Sequence, residues 1–543
     1  MHAGKPGTKE QVMTPRRPED VIAGVARPFT GKEYLESLRD ERHVYINGER
    51  VKDVTSHIAF RNSVRTLARL YDALHDPNTK DVLTSPTDTG SGGYTHKFFR
   101  PAKSREDLVA QQRAIAEWSR MTYGWMGRTP DYKASLMNTL GANAEYYGKY
   151  ADNARRWFKR AQEAVFFMNH AIVNPPVDRG RPTNEVKDVY VTVQKETDAG
   201  VIVSGAKVVA TSAAFTHYNF LGQNAASAVA DPDLAIMFIL PMDSPGVKLF
   251  CRTSYEQIAA TVGTPFDYPL SSRFDENDAI FVLDKVLIPW EDILVYRDTD
   301  KILGFHLQSG FLQNFCFQGC TRFAVKFDFM VGLIAKALRA TGGDEFRGNQ
   351  AMLGEIVAWR NLFWSLSDCM ANTPANWVGN AVLPNLQAAQ SYRVFAPDAW
   401  PRVREIVEKI IASALIYLPS SAKDFRNPEI DPYLARFVRG SHGIGYKERI
   451  KVMKLLWDAI GTEFGGRHEL YERNYAGNHE DIRIQTLSGS WRNGNMDRMI
   501  ALVDQCLADY DENGWAEGTW INPDGTTRMQ ATGNLDEPLM REW

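Results

Sequence analysis

The chain has 543 residues, with 63 basic against 66 acidic side chains and a formal net charge of -3. That balance argues against an electrostatic nucleic-acid or membrane-surface binder, and no apolar run is long enough to cross a bilayer. Hydrophobic residues at 44% and charged residues at 24% are globular values, and five cysteines cannot form a disulfide framework in a chain this long, so a soluble cytoplasmic protein is expected.

Met1 to Arg27 carries Lys, Arg, Pro and Gly without the apolar core of a secretory signal and reads as a disordered extension. Order is expected from Pro28, because Thr30 to Glu33 form a capping-box pattern and Tyr34, Leu35 and Leu38 share one helical face. Helical spacing recurs from Phe60 to Leu74 and from Leu108 to Met126, on either side of the Gly/Thr/Ser-rich stretch Thr84 to Thr95. Thr129 and Pro130 are an N-cap and first-turn pair that should open a further helix. A long helix through Trp157, Phe158, Val165 and Phe167 is expected to stop at Pro175 and Pro176. The period then changes from 3.6 to 2. Val189, Val191 and Val193 alternate with Tyr190 and Thr192, the turn Asp198 to Gly200 follows, and Val201 to Val209 resumes strand composition. Further short β-rich runs lie at Leu234 to Leu240, Val247 to Cys251 and Ala279 to Ile288. Long helical patterns return at 311–341, 350–372, 384–418, 446–460 and 495–511, so the order is α, β, α. Asn522 to Trp543 shows no period and reads as a peripheral tail.

The glycine clusters at 90–93, 342–343 and 465–466 complete neither G-x-G-x-x-G nor a P-loop, and H-E-x-x-H, C-x-x-C and G-x-S-x-G are absent. Cys316 and Cys320, four apart with no histidine at metal spacing, read as core residues, and no metal site is expected. Arg128 immediately precedes the Thr129 N-cap, so its charge and the positive helix end would point at one spot, with Tyr132 in the first turn beside them. On these residues alone, Arg128 reads first as a solvated charge and His170 as a structural histidine.

Six runs carry the reading further: Pro28–Arg39 (PFTGKEYLESLR), Tyr123–Lys133 (YGWMGRTPDYK), Phe167–Arg179 (FMNHAIVNPPVDR), Val203–Thr211 (VSGAKVVAT), Pro269–Ala279 (PLSSRFDENDA) and Phe464–Tyr471 (FGGRHELY). From Pro28 to Trp515 the chain resembles the large oxygenase component of two-component 4-hydroxyphenylacetate 3-monooxygenase. The resemblance implies an α+β, acyl-CoA dehydrogenase-like fold: a helical N-terminal domain over 28–180, a middle β-barrel over 181–296 and a C-terminal helical domain over 297–521. The extension 1–27 and the tail 522–543 flank it, and the assembly implied is a homotetramer. It also implies a flavoprotein that hydroxylates a phenol ortho to its hydroxyl through a flavin C4a-hydroperoxide. Reduced FAD (FADH2) would come from a separate NADH-dependent reductase, and molecular oxygen would be the co-substrate. A chain that never binds NADH has no need of the missing dinucleotide fingerprint.

By the same resemblance, Arg128, Tyr132 and His170 surround the substrate phenol, where a cation favours the phenolate. Asp178, Arg179, Thr211, Gly466, Arg467 and His468 would lie at the flavin, although a helix C-cap explains Gly465 and Gly466 equally well. Ala225, Ala226 and Ser227 fall where some members use hydroxyl side chains to meet the carboxylate of 4-hydroxyphenylacetate, and two of the three are alanine here. Chlorophenols, nitrophenols or a carrier-bound tyrosine derivative of a natural-product pathway are alternative substrates. On the same architecture an acyl-CoA dehydrogenase or a 4-hydroxybutyryl-CoA dehydratase is the more distant alternative. The dehydratase needs an iron-sulfur cluster that the spacing of Cys251, Cys316, Cys320, Cys369 and Cys506 does not provide.

Overall fold

The capping box read at Thr30 is present. The Thr30 hydroxyl accepts the Glu33 N–H at 3.2 Å, the Glu33 carboxylate accepts the Thr30 N–H at 2.8 Å, and together they open α1 (Gly31–Ser37). The computed structural model describes residues 17–22, 24–178, 180–181, 183–223 and 231–516, in two units that divide between Asn478 and His479. Order begins earlier than Pro28. Pro18–Ile22 forms a 3-10 turn with Ile22 buried, and Glu19 binds Arg160 Nε at 2.8 Å and the Tyr218 hydroxyl at 2.5 Å, so residues 18–22 are structured where the sequence suggested disorder; residues 1–16 lie outside the described residues.

The hairpins β1 (Val44–Ile46) with β2 (Glu49–Val51) and β3 (Thr84–Pro86) with β4 (Tyr94–His96) interleave with α2 (Arg61–Ala73), α3 (Lys80–Leu83) and α4 (Arg105–Met121). Helices α5 (Pro130–Ala142) and α6 (Ala151–Ala164) follow. The helix expected to reach Pro175 forms as α6 but stops at Ala164: Val165 takes the left-handed conformation (φ 54°, ψ 60°) and the chain turns into strand β5 (Met168–Ala171). All four residues of β5 are buried, so its apolar run has no alternation to set it apart from a helix.

Strands β6 (Thr192–Thr197), β7 (Gly200–Lys207), β8 (Tyr218–Leu221), β9 (Ile236–Pro241), β10 (Val247–Cys251), β11 (Ala279–Pro289) and β12 (Ile293–Tyr296), with α7 (Tyr255–Val262), make the middle of the chain. They form two open sheets, ordered β2-β1-β10-β11-β7-β6 and β12-β9-β8-β5, and not the closed barrel expected. The physical reason is that strands from the helical region take places at the sheet ends: β1 pairs in parallel with β10, and β5 in parallel with β8, with His170 opposite Phe220. The α+β order of helices, sheets and helices holds.

Helices α8 (Thr299–Gln308), α9 (Phe311–Thr341), α10 (Arg347–Asn372), α11 (Leu386–Ile410), α12 (Asp431–Phe437), α13 (Tyr446–Ile460) and α14 (Glu463–Asn474) complete the first unit. Helix α9 runs through the core, with Cys316, Cys320 and Phe323 fully buried. Gly465 and Gly466 stand in the first turn of α14, so they start a helix and do not cap one. A Cβ on Gly465 would lie 2.6 Å from the Ile460 carbonyl carbon, which explains why only glycine fits there. The second unit contains α15 (His479–Arg492) and α16 (Asn495–Leu507).

Candidate active site

Gly127 sets the approach to the site. A Cβ there would lie 2.0 Å from the Tyr471 hydroxyl, so a glycine lets α14 pack against the residue before Arg128. The Arg128 N–H then donates to Glu276 Oε1 at 2.5 Å, and the guanidinium lies 4.0 Å over the Tyr132 ring and 5.0 Å over that of Tyr475. Arg128 Nε and Nη1 are buried with no hydrogen-bond partner among the described residues. An arginine stays protonated under these conditions, so two charged donors are left for something else to satisfy.

The Tyr132 ring centroid is 5.5 Å from that of His170 on β5 and 5.9 Å from that of Tyr475. Burial raises the Tyr132 phenol above its ordinary range, against the pull of Arg128. Burial, and then the charges of Lys133 and Arg128, hold His170 well below the ordinary histidine range, so its ring is neutral and its Nδ1 has no partner among the described residues. Arg128 and Tyr132, from the start of α5, and His170, from β5, are thus brought together. A permanent cation beside a neutral imidazole suits a phenol oxygen: the cation favours the ionised form and the imidazole exchanges a proton.

Two carboxylates that sequence reasoning did not single out tie this cluster to part of the flavin set. Glu276 accepts from Arg128 with one oxygen and lies 3.3 Å from Arg467 Nη1 with the other. Asp278 accepts from Arg467 Nη2 at 2.8 Å, from Arg252 Nε at 3.0 Å and from the Thr211 hydroxyl at 2.6 Å. Burial opposes the ionised form of Asp278, but Arg467 and Arg252 outweigh it and hold the carboxyl well below the usual carboxylate range. Thr211 and Arg467 therefore meet on one carboxylate. A Cβ on Gly466 would find nothing within 4 Å, so the backbone beside Arg467 is open to a ligand.

The remaining candidates separate. His468 turns into the helix packing: its Nδ1 is 3.3 Å from Lys326 Nζ, its ring meets Trp125 edge-on at 4.9 Å, and Lys326 and Arg322 both bind Glu472. Asp178 is on an exposed turn with φ 41°, 3.9 Å from Arg181, and contacts neither group. Arg179 and the loop residues Ala225, Ala226 and Ser227 lie outside the described residues. Tyr471 and Tyr475 were not anticipated; Arg467 and Tyr471 on α14 and Tyr475, its C-cap with helical backbone angles, fall at intervals of four, a spacing that places all three on one face. Among the described residues no group of three His, Cys, Asp or Glu side chains is arranged to hold a metal ion.

Residues 30–295 match the family described as "4-hydroxyphenylacetate 3-hydroxylase N terminal", and residues 304–507 match its C-terminal counterpart. The chain is 59% identical to the 4-hydroxyphenylacetate 3-monooxygenase oxygenase component of Pseudomonas aeruginosa, over 94% of this chain and 98% of that protein. It is 55% identical to the oxygenase component of 4-nitrophenol 2-monooxygenase from a Rhodococcus species, over 95% and 96% of the two chains. Among solved structures it is similar to the oxygenase component of 4-hydroxyphenylacetate 3-monooxygenase complexed with FAD and 4-hydroxyphenylacetate. That likeness has a TM-score of 0.82 at 32% identity and covers 88% of this chain and 99% of the other.

Proposed function

The chain belongs to the 4-hydroxyphenylacetate 3-hydroxylase family, and from that premise we propose that it is the oxygenase component of a two-component monooxygenase, hydroxylating a phenol ortho to its hydroxyl with reduced FAD and oxygen. The observation that carries this reading at the site is the convergence of unpartnered Arg128 donors, the Tyr132 ring and neutral His170 in one buried place. When bound, reduced FAD supplies the means of activating oxygen for transfer to the ring. The chain's own task is to hold the phenolic oxygen against Arg128 and His170, favour its ionised form and keep water out. An ionised oxygen makes the adjacent ring carbon more nucleophilic, which is what ortho hydroxylation requires.

Thr211, Gly466 and Arg467 would hold the flavin: the glycine leaves its surroundings open, and the other two are fixed on Asp278. Asp178, Arg179 and His468 complete the proposed flavin set by resemblance, His468 acting from behind through α14. The substrate is 4-hydroxyphenylacetate, the compound named for the Pseudomonas relative, and the second reading is a nitrophenol, favoured by alanine at 225 and 226 and by the Rhodococcus relative. A separate reductase supplies the flavin. The division into helical, middle and C-terminal helical domains at about residues 180 and 296 is retained as part of this reading. The five cysteines are unpaired thiols, which suits the cytoplasm. The assembly is a homotetramer, a reading supported within the second unit by the exposed Leu487, Trp491, Leu502 and Val503 of α15 and α16.

The test is a panel of 4-hydroxyphenylacetate, 4-nitrophenol and chlorophenols given to the purified chain with photoreduced FAD and oxygen, with product identified by mass spectrometry. An ortho-dihydroxy product is expected from at least one of them, and NADH alone should give none. Peroxide without hydroxylated product from every phenol would overturn the assignment.

A further inference from the structure

Lys133 follows Tyr132 on α5 and is 1% exposed. Its ammonium lies 4.3 Å from the Phe311 ring centroid, 4.7 Å from that of Tyr132 and 5.7 Å from that of Phe220, and no carboxylate or hydrogen-bond acceptor among the described residues pairs with it. Three aromatic faces favour a cation, yet a buried ammonium without an anion is costly, and packing alone would be served as well by methionine. The groups that face it do not compensate it. Arg128 stands one turn earlier, His170 faces from β5 and His306 from α8, with Arg393 of α11 beyond His306; Tyr132, Tyr475 and Cys316 bring no acid. The neighbouring carboxylate, Asp131, is turned to the Thr129 hydroxyl at 2.5 Å. His170 Nδ1 and His306 Nδ1, like Arg128 Nε and Nη1, are buried without partners.

We propose that Lys133 is a second functional cation of the phenol site, left without an acidic partner so that the substrate's ionised oxygen balances it. The inference rests on the placement of the phenol beside Arg128 and His170. Burial, and then the charge of Arg128, hold the Lys133 ammonium well below the ordinary lysine range in the unliganded chain. An arriving anion reverses that, so binding and protonation are linked. The O–H bond of the phenol breaks and leaves its electron pair on oxygen, an N–H bond forms on Lys133 Nζ, and no proton reaches solvent. Arg128 cannot take this part, because an arginine has no proton vacancy to fill, and His170 does not keep the proton, because burial and the charges of Lys133 and Arg128 all hold its ring neutral.

The experiment uses the full chain saturated with oxidised FAD and 4-nitrophenol, whose only ionisable group is the phenol and whose colour reports its ionisation. Absorbance gives the ionised fraction of bound probe, and calorimetry in two buffers of different ionisation heat gives the protons exchanged, at a pH below the probe's own midpoint. Wild type should bind the probe ionised and release almost no proton. Lys133→Arg keeps the charge but cannot accept a proton, so it should bind ionised probe and release about one proton per probe. Lys133→Met should bind the ionised probe about tenfold or more weakly. Its fold is checked by thermal melting, and the wild-type and Lys133→Arg proton counts stand even if it fails to fold.

Release of a full proton by wild type, or identical binding and proton balance in wild type and Lys133→Met, would overturn the role of Lys133. Arg128→Met separates the two readings. If it loses ionised-probe binding while Lys133→Met does not, the phenol site stands and this inference falls; if neither changes anything, the phenol site itself is misplaced.

Discussion

Lys207 is a second lysine whose charge the fold does not balance. It is fully buried at the end of β7, and among the described residues its ammonium is held by neutral oxygens only: Asn174 Oδ1 at 2.7 Å, Gln223 Oε1 at 2.8 Å and the Ile172 carbonyl at 3.5 Å. Burial pushes it down to about 7, whereas an unfolded lysine titrates near its ordinary value of 10.5. Between those values the unfolded chain binds more protons, so stability should rise with pH from about 7 to about 10. Lys207→Met should flatten that slope in a series of urea unfolding curves, and an unchanged slope would assign the pH dependence elsewhere. Gly127→Ala should displace Tyr471 from Arg128, costing roughly 1–3 kcal/mol of stability and weakening phenol binding. Unaltered melting and affinity would mean that Tyr471 moves at no cost. Arg128 was legible because the N-cap and proline that follow it announce a helix start. Lys133 was not, since a lysine among Asp131, Ser135 and Asn138 on a mixed polar and apolar helix gives no sign of what surrounds it. Arg467 and Asp278 are 189 residues apart in sequence, and no local pattern announces such a pair.

Helices α9 and α14 are joined by a buried triad in which Arg322 Nη2 and Lys326 Nζ bind Glu472 at 2.9 Å and 2.8 Å, with Lys326 also over the Trp400 ring at 3.9 Å. Burial opposes the ionised form of Glu472, but Arg322 and Lys326 outweigh it and lower its carboxyl from 4.5 to about 2. This stabilisation is complete above about pH 4.5 and is lost as pH falls toward 2. Glu472→Gln leaves two buried cations unbalanced and should cost about 3–5 kcal/mol at neutral pH, with a weaker loss of stability on acidification than wild type. Chemical denaturation at pH 7 and pH 3 checks both parts; a loss below 1 kcal/mol would show the triad to be dispensable. Helix α13 begins and ends where the apolar spacing said, because it is amphipathic and Gly461 follows it. Helix α14 was missed because Gly465 and Gly466 in its first turn look like a break. Strand β5 was read as helix because an all-buried parallel strand offers no period, and the left-handed turn at Val165 occurs without the glycine that usually marks one.

The order of helices, sheets and helices was legible over the whole chain, but the recruitment of β1, β2 and β5 into the sheets was not, since these strands are three or four residues long and join through the pairing of β1 with β10 and of β5 with β8, far along the sequence. That recruitment places His170 opposite Phe220 at a sheet edge and so within reach of α5, making the proposed phenol site a product of the fold as a whole. The exposed apolar residues of the second unit predict association: light scattering at micromolar concentration should give four times the 61.3 kDa of one chain. A monomer mass would contradict the tetramer without touching the chemistry. The chemistry is tested most directly by counting hydroxylated product and hydrogen peroxide per reduced FAD, at saturating phenol, in wild type, Arg128→Ala and His170→Ala. Losing a charged hydrogen bond to the ionised oxygen should cost about 2–4 kcal/mol, so hydroxylation should fall roughly 30- to 1000-fold while reduced flavin is still consumed and appears as peroxide. Wild-type yields and rates in both variants would show that Arg128 and His170 do not hold the phenol.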